Sequence, residues 1–235
     1  MSSEQEAASS EQRAASSEQE AASSEQEAAS SEQRTASSGM EPRWIEASES
    51  PFGVRVFDCR AIATAMAASS PSQDVAELFM QTRTSDGSHL FGRHPSNPVK
   101  FDVDMTYPKE ARELPDRGVI FRAGSLEEKW DIVIDDRVIT FARSWTGDTV
   151  YLCDLSEEGD NYVVRTVVVS DDIIDPADEG YHVHVVNYLL WSHVFDVVYP
   201  HPLPLTMPQD EDEILMHSFS AYGRRGWFAT MERFG

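Results

Sequence analysis

The chain has little cysteine and no long apolar run in its 235 residues. Its two cysteines, Cys59 and Cys153, lie far apart and form no Cys-x-x-Cys motif. We expect two buried thiols, as is typical of proteins in the reducing cytoplasm. The most apolar stretch, residues 183–198, is broken by polar residues and is too short to cross a bilayer. No apolar segment with a basic flank opens the chain, so we expect no secretory signal, no membrane association and a cytoplasmic location.

The chain also lacks the short motifs of several common enzyme classes. It contains no Gly-x-x-x-x-Gly-Lys-(Ser/Thr), Gly-x-Gly-x-x-Gly, Gly-x-Ser-x-Gly or His-Glu-x-x-His sequence. Nucleotide hydrolysis by a phosphate-binding loop, dinucleotide binding, esterase activity and zinc-protease activity therefore lose support. We expect no cofactor.

The seven histidines have no usual zinc-binding spacing. His182 and His193 are eleven residues apart and would share one face of a helix, with Asp196 or His201 as the remaining source of a third ligand. Three or four converging ligands are needed for a zinc site. We therefore expect no metal site.

Positive charge is scarce. The chain has 19 Lys and Arg against 41 Asp and Glu, a net charge of −22. The first 39 residues account for −6 of this charge and the remainder for −16. Nucleic acids and anionic membranes are disfavoured partners, because binding to both depends on Lys and Arg. A basic protein is an easier partner, although high negative charge also serves solubility by itself.

Aromatic residues are absent from the first 39 positions. Residues 2–36 are five near-identical copies of the unit Ser-Ser-Glu-Gln-(Glu/Arg)-Ala-Ala. A heptad coiled coil requires two spaced large apolar residues per unit, and this unit has only adjacent alanines. We expect residues 1–39 to be a disordered tail and residues 40–235 to be one globular domain. The tail is either a solubilising spacer or an expanded repeat without a specific role, and Met40 is an alternative start.

Alternating apolar residues and turn signals predict an antiparallel β-meander in the middle of the chain. The predicted strands are 130–134, 138–145, 149–155 and 162–169. Tight turns are expected at Asp135-Asp136 and Thr146-Gly147. This register gives one apolar face, with Tyr151 on the opposite face. The members of the apolar face are Trp130, Ile132, Ile134, Ile139, Phe141, Val150 and Leu152.

Helices are predicted on either side of the meander. Their spans are 59–68, 72–83, 181–195 and 210–222, with further strands at 54–57, 99–105 and 119–122. The helix at 181–195 is strongly apolar and is expected to be central. The predicted class is therefore α+β, with an antiparallel meander packed against helices behind a disordered repeat tail.

The first hairpin of the meander also resembles a known family. Residues 128–132 read Glu-Lys-Trp-Asp-Ile, and residues 141–147 read Phe-Ala-Arg-Ser-Trp-Thr-Gly. These runs resemble a family of uncharacterised bacterial domains with a Lys-Trp-Asp-Ile strand followed by a Phe-x-Arg-Ser-Trp-Thr-Gly hairpin. The resemblance extends from about Gly53 to Leu155. It implies no particular reaction, cofactor or partner.

Arg143 is the candidate binding residue. In the predicted register it lies opposite Glu128 and beside Trp145, with Asp131 nearby as an acid or base. An arginine among aromatic rings can hold an anionic group through a forked contact, and stacking on Trp145 would orient it. The alternative is structural, with Arg143 paired to Glu128 at the end of the sheet.

We expect a non-enzymatic module that binds a protein, plausibly a basic one, through an acidic surface. A toxin-neutralising role fits the charge and size. The alternative is an enzyme or small-ligand-binding domain in which Arg143 holds an anionic group.

Overall fold

The computed structural model describes residues 41–68 and 72–233. The predicted tail, residues 1–39, lies outside the described residues, so its disorder stays a prediction. The predicted α+β class is confirmed, since the described part contains two sheets and four α-helices.

The larger sheet has six antiparallel strands in the order β3-β8-β7-β6-β5-β4. These strands are β3 (Pro98–Pro108), β4 (Arg117–Phe121), β5 (Trp130–Asp135), β6 (Val138–Arg143), β7 (Thr149–Glu158) and β8 (Asn161–Ser170). Strands β5 to β8 are the predicted meander. β3 alternates between half-buried or buried apolar residues and exposed polar ones, as predicted.

The smaller sheet has four short strands in the order β1-β2-β10-β9. They are β1 (Arg43–Ile45), β2 (Val56–Asp58), β9 (His201–Pro202) and β10 (Phe228–Thr230). Only β2 was predicted as a strand, because runs of two or three residues show no periodicity. The C-terminal segment packs back onto the body through β10, as its Gly-Trp-Phe sequence suggests.

The four helices lie close to their predicted positions. They are α1 (Arg60–Ala65), α2 (Gln73–Thr82), α3 (Tyr181–Leu189) and α4 (Glu211–Tyr222). Ser72 and Asp210 cap α2 and α4 by accepting a hydrogen bond from the backbone N–H three residues later. A π-helical turn, Leu190–Val194, continues α3. Within the described part of the chain, none of these helices combines the length and apolar character needed to span a bilayer.

The first turn of the meander lies one residue later than predicted. Asp136 and Arg137 both have positive φ, 48° and 69°. Positive φ at both central residues is typical of the type I′ hairpin turn. Asp135 therefore stays in its strand and pairs with Val138.

The main core lies between one face of the six-stranded sheet and α3. The predicted apolar face is confirmed for β5 and β6, whose inward residues are almost fully buried. The prediction is wrong for Leu152 and Tyr151. A bulge between β6 and β7 shifts their pairing, so Tyr151 lies opposite Phe141 in the core, and Leu152 belongs to the other face. Val150 is half-buried at the margin of the core.

Gly223 ends α4 in a backbone conformation that few other residues adopt. Its φ is +63°, and an added Cβ would lie 1.7 Å from the carbonyl oxygen of Glu127. The close approach of α4 to residue 127 therefore requires glycine at position 223, because any other residue would add a Cβ.

We predict that Gly223→Ala lowers the free energy of unfolding by about 3 kcal/mol or more, because a backbone clash cannot relax cheaply. Gly92→Ala is the control, since Gly92 also has positive φ, +67°, but has no atom within 4 Å of an added Cβ. Gly92→Ala should lower the free energy of unfolding by about 1 kcal/mol, because it adds backbone strain without a clash. Urea denaturation of both variants measures the difference, and equal losses would contradict the close approach.

Candidate functional site

Arg143 lies at the end of β6, where the sheet meets the C-terminal end of α4. Its guanidinium Cζ stands 4.2 Å from the centroid of the Trp130 ring. Its Nη1 donates a hydrogen bond to the carbonyl oxygen of Ala221 at 3.1 Å, and Trp130 Nε1 donates to the same oxygen at 2.9 Å. The last carbonyls of a helix lack partners within the helix and attract cations. Arg143 and Trp130 together therefore donate hydrogen bonds to a carbonyl oxygen in the last turn of α4.

Two predicted contacts of Arg143 are wrong. Moving the hairpin turn by one residue shifts the register by two, so Trp130 rather than Glu128 pairs with Arg143. Glu128 instead accepts a hydrogen bond from the backbone N–H of Gly124 at 2.5 Å. The guanidinium stacks on Trp130 instead of Trp145.

Trp145 belongs to a separate set of contacts around Lys129. Its Nε1 donates to the carbonyl oxygen of Leu126 at 2.9 Å. The ammonium of Lys129 lies 4.6 Å from the ring centroids of both Trp145 and Phe219, and it donates to Leu126 at 3.0 Å. Burial lowers the pKa of Lys129. Sequence reasoning missed Lys129, because nothing in the local pattern distinguishes a buried lysine from an exposed one.

Asp131 lies on the other face of the sheet from Arg143. Its carboxylate forms a two-point ion pair with Arg83, which follows α2, and it accepts a hydrogen bond from the N–H of Ala123 at 2.9 Å. Asp131 therefore holds α2 to the sheet and does not stand beside Arg143. The four residues singled out from the sequence are not brought together around one space.

No carboxylate within residues 41–68 and 72–233 lies within salt-bridge distance of Arg143 or Lys129. Both cations are instead satisfied by carbonyl oxygens and aromatic rings. Cation–π contacts of this kind contribute more when the groups are shielded from water. The contacts of Arg143 and Lys129 therefore stabilise the packing of α4 against the sheet.

Tyrosines and histidines of α3 and α4 form a second polar cluster with Tyr151 of β7. Tyr181 Oη lies 3.1 Å from both His217 Nε2 and Tyr222 Oη. His182 Nδ1 lies 2.8 Å from Tyr151 Oη. Burial lowers the pKa of His217 to about 4 and raises that of Tyr181 to about 12. These pKa values keep His217 and Tyr181 neutral at pH 7.

His182 and His193, the two histidines spaced three helical turns apart, contact different internal partners. His182 Nε2 lies 2.8 Å from the carbonyl oxygen of Ile173, and His193 Nδ1 lies 2.6 Å from Ser192 Oγ. Among the residues that the structure describes, no three His, Cys, Asp or Glu side chains are arranged to hold a metal ion. The two cysteines are buried free thiols, and burial raises the pKa of Cys59 to about 12.

A small cleft lies where the π-helical turn ends. Its volume is about 160 Å³, and its lining includes Ser192, Val197, Val198, Tyr199 and Trp227. Pockets for small-molecule ligands typically measure roughly 300–1,000 Å³. The cleft therefore has the size of one side chain.

The most distinctive surface is acidic. We define the acidic face as eight exposed carboxylates in the loop before α3 and the first turn of α4. They are Asp171, Asp172, Asp175, Glu179, Asp210, Glu211, Asp212 and Glu213.

The loop before α3 contacts the segment that leads into α4. Asp178 accepts a hydrogen bond from the N–H of Leu205 at 2.7 Å, and Thr206 donates to Asp175 at 3.4 Å. In the described part of the chain, none of the eight carboxylates has a basic residue within salt-bridge distance, whereas the buried Asp178 pairs with Arg233 at 2.5 Å. Two apolar side chains, Ile173 and Leu205, stand 43% and 51% exposed beside these carboxylates.

A scan of protein-family models, a search of curated proteins and a search of solved structures each gave no match to this chain. The resemblance of the hairpin to a bacterial domain family therefore stays a prediction.

We predict that Arg143→Ala lowers the free energy of unfolding by about 1–3 kcal/mol, because the helix-end hydrogen bond and the stacking on Trp130 are lost. Arg117→Ala is the control, since Arg117 is 68% exposed and contacts Asp135 and the Phe91 ring at the surface. The control should lower the free energy of unfolding by clearly less than Arg143→Ala does, because water screens exposed ion pairs. Chemical denaturation measures both, and an unchanged Arg143→Ala stability would contradict the structural role.

We predict that stability falls as the pH drops from 7 to 5, with His201 as one cause. Burial lowers the pKa of His201 to about 3, and its Nε2 has no hydrogen-bond partner. A folded-state pKa below the unfolded value of about 6.5 gives stability that is complete above pH 6.5 and is lost as the pH falls. This group alone should cost about 2 kcal/mol by pH 5.

His201→Leu should make this decline shallower, whereas the same change at the exposed His94 should leave it as steep as in the wild type. Thermal unfolding at pH 7, 6 and 5 gives the comparison. Parallel declines in all three proteins would show that His201 does not contribute.

Proposed function

We propose that this chain is a non-enzymatic, cytoplasmic protein-interaction module that binds a basic protein through its acidic face. The observation that carries the proposal is a set of eight exposed carboxylates that have no ion-pair partner in the described residues, together with two exposed apolar side chains, Ile173 and Leu205, in the same two segments of chain. Protein interfaces commonly combine apolar anchors with a charged rim. A cytoplasmic location is supported by the two buried free thiols.

The charge of the face favours a basic partner. Like charges on neighbouring residues, such as Asp171 with Asp172 and Asp210–Glu213, repel one another, and a cationic surface would relieve this repulsion. Part of the face has a structural use, since Asp210–Glu213 complements the N-terminal end of α4. That use does not involve the carboxylates of the loop at residues 171–175, which lie next to the start of β3.

The alternative function, an anionic ligand held by Arg143, has less support. The Arg143 guanidinium is occupied by Ala221 and Trp130, and Glu128, Asp131 and Trp145 each have separate internal contacts. The ligand-binding alternative would require these contacts to break.

We predict that the full-length chain retains one stoichiometric basic protein from its source cell at low salt and releases it at high salt. A face variant neutralises four carboxylates, namely Asp171→Asn, Asp172→Asn, Asp175→Asn and Glu179→Gln. A control variant makes the same change in net charge elsewhere, namely Glu49→Gln, Glu110→Gln, Glu113→Gln and Asp160→Asn, all at exposed positions.

The face variant should retain about tenfold less of the partner, and the control variant should retain as much as the wild type. Quantitative mass spectrometry of the eluates gives the ratio. Equal losses in the two variants, or no protein retained at low salt, would overturn the proposal.

A further inference from the structure

β3 is a long strand with a free outer edge. It runs eleven residues, about twice the typical length of a strand, and lies at one edge of the six-stranded sheet. Its inner edge pairs with β8. Within residues 41–68 and 72–233, no backbone hydrogen bond joins the outer edge over Pro98–Asp102 to another segment. Such an edge presents N–H and C=O groups on which another strand can form.

A bulge limits the usable part of this edge. The pairing of β3 with β8 shifts between Asp102 and Met105. A bulge twists an edge strand and interrupts pairing. The regular part is therefore Pro98–Asp102.

The regular part of the edge starts at the acidic face. Asn97 Nδ2 donates a hydrogen bond to Asp172 at 2.9 Å, and the N–H of Asp171 donates to the carbonyl oxygen of Asn97 at 3.0 Å. A chain that binds along the edge would therefore reach the acidic face directly.

The side chains of this segment differ on the two faces of the sheet. Val99 and Phe101 are only half-buried, whereas Met105 and Tyr107 on the same face are buried. On the other face, Lys100 and Asp102 are both exposed, and no basic residue of the described chain lies within salt-bridge distance of Asp102. An added strand would cover apolar surface on one side and meet Lys100 and Asp102 on the other.

We propose that an extended basic segment of the protein partner adds to β3 over Pro98–Asp102 as a seventh strand. The proposal rests on the proposed function and names its mode of binding. Alternate apolar side chains of the segment pack against Val99 and Phe101, and alternate basic side chains lie near Asp102 and the acidic face. Backbone hydrogen bonds supply affinity in strand addition, and alternate side chains supply specificity.

Charge favours a partner over a second copy of this chain. Each chain carries a net charge of −22, so two copies repel each other. A basic strand would be attracted to the same edge.

A synthetic peptide tests the mode of binding. The probe is a fluorescent nine-residue peptide in which Lys and Val alternate, and the control peptide has the same composition with its Lys and Val in two blocks. The alternating peptide should bind the full-length chain about tenfold more tightly in fluorescence anisotropy, because only alternation places all the apolar side chains on one face.

Asp102→Lys is the test variant, since it reverses the charge that the basic side chains of the added strand would face. Asp154→Lys is its matched control, because Asp102 and Asp154 both align with Thr166, which places Asp154 two strands inward in the same row. Both aspartates are exposed, and unchanged melting temperatures check that each variant folds. Asp102→Lys should weaken binding of the alternating peptide about tenfold, and Asp154→Lys by less than about threefold.

Equal binding of the two peptides would show diffuse charge attraction only and would overturn the inference, as would equal weakening by the two variants. A wild-type dimer that Asp102→Lys dissociates in sedimentation would also overturn it, because the edge would then be occupied by a second copy. None of these results bears on partner capture, so a failed capture remains a separate failure of the proposed function.

Discussion

The burial of the apolar face of the six-stranded sheet against α3 is the constraint on which the structure depends. A helix with its side chains is about 10 Å wide, whereas six strands span about 24 Å. One helix therefore cannot cover the sheet. The end of α4 covers Trp130, and the rings of Trp191 and Phe195 pack against Tyr107. The start of β3, beside the loop that carries Asp172, is one part of the face that stays half-exposed.

Several polar groups inside the protein hold its elements together. Arg83 with Asp131 ties α2 to the sheet, and Arg143 ties α4 to the sheet. The buried histidines are neutral at pH 7, because burial lowers their pKa values. Charge without an internal partner is concentrated instead on exposed loops and helix starts. The buried polar groups therefore support a functional proposal less than the exposed carboxylates do.

The sequence predicted the elements that have strong local signals. The alternation of β3, the apolar helix α3 and helix α4 lie close to where the pattern placed them, whereas the first turn of the meander lies one residue later. Contacts were less predictable, because they depend on single-residue events. One turn residue changed the partner of Arg143, and one bulge brought Tyr151 into the core.

Two further features had no local signal. The strands of the small sheet have two or three residues each and pair between distant parts of the chain, as Ala229 does with His201. The rings that surround Lys129 come from residues 145 and 219, which no spacing rule connects. The acidic face was visible as composition, but its adjacency to the free edge of β3 required the folded chain.

Amide hydrogen exchange of the full-length chain, alone and with its captured partner, tests most directly where this protein binds. The account predicts slower exchange in residues 98–102 and 171–179 of the complex, and no change around Arg143 and Trp145. Protection confined to the Arg143 end of the sheet, with free exchange at the start of β3 and in the loop before α3, would contradict it.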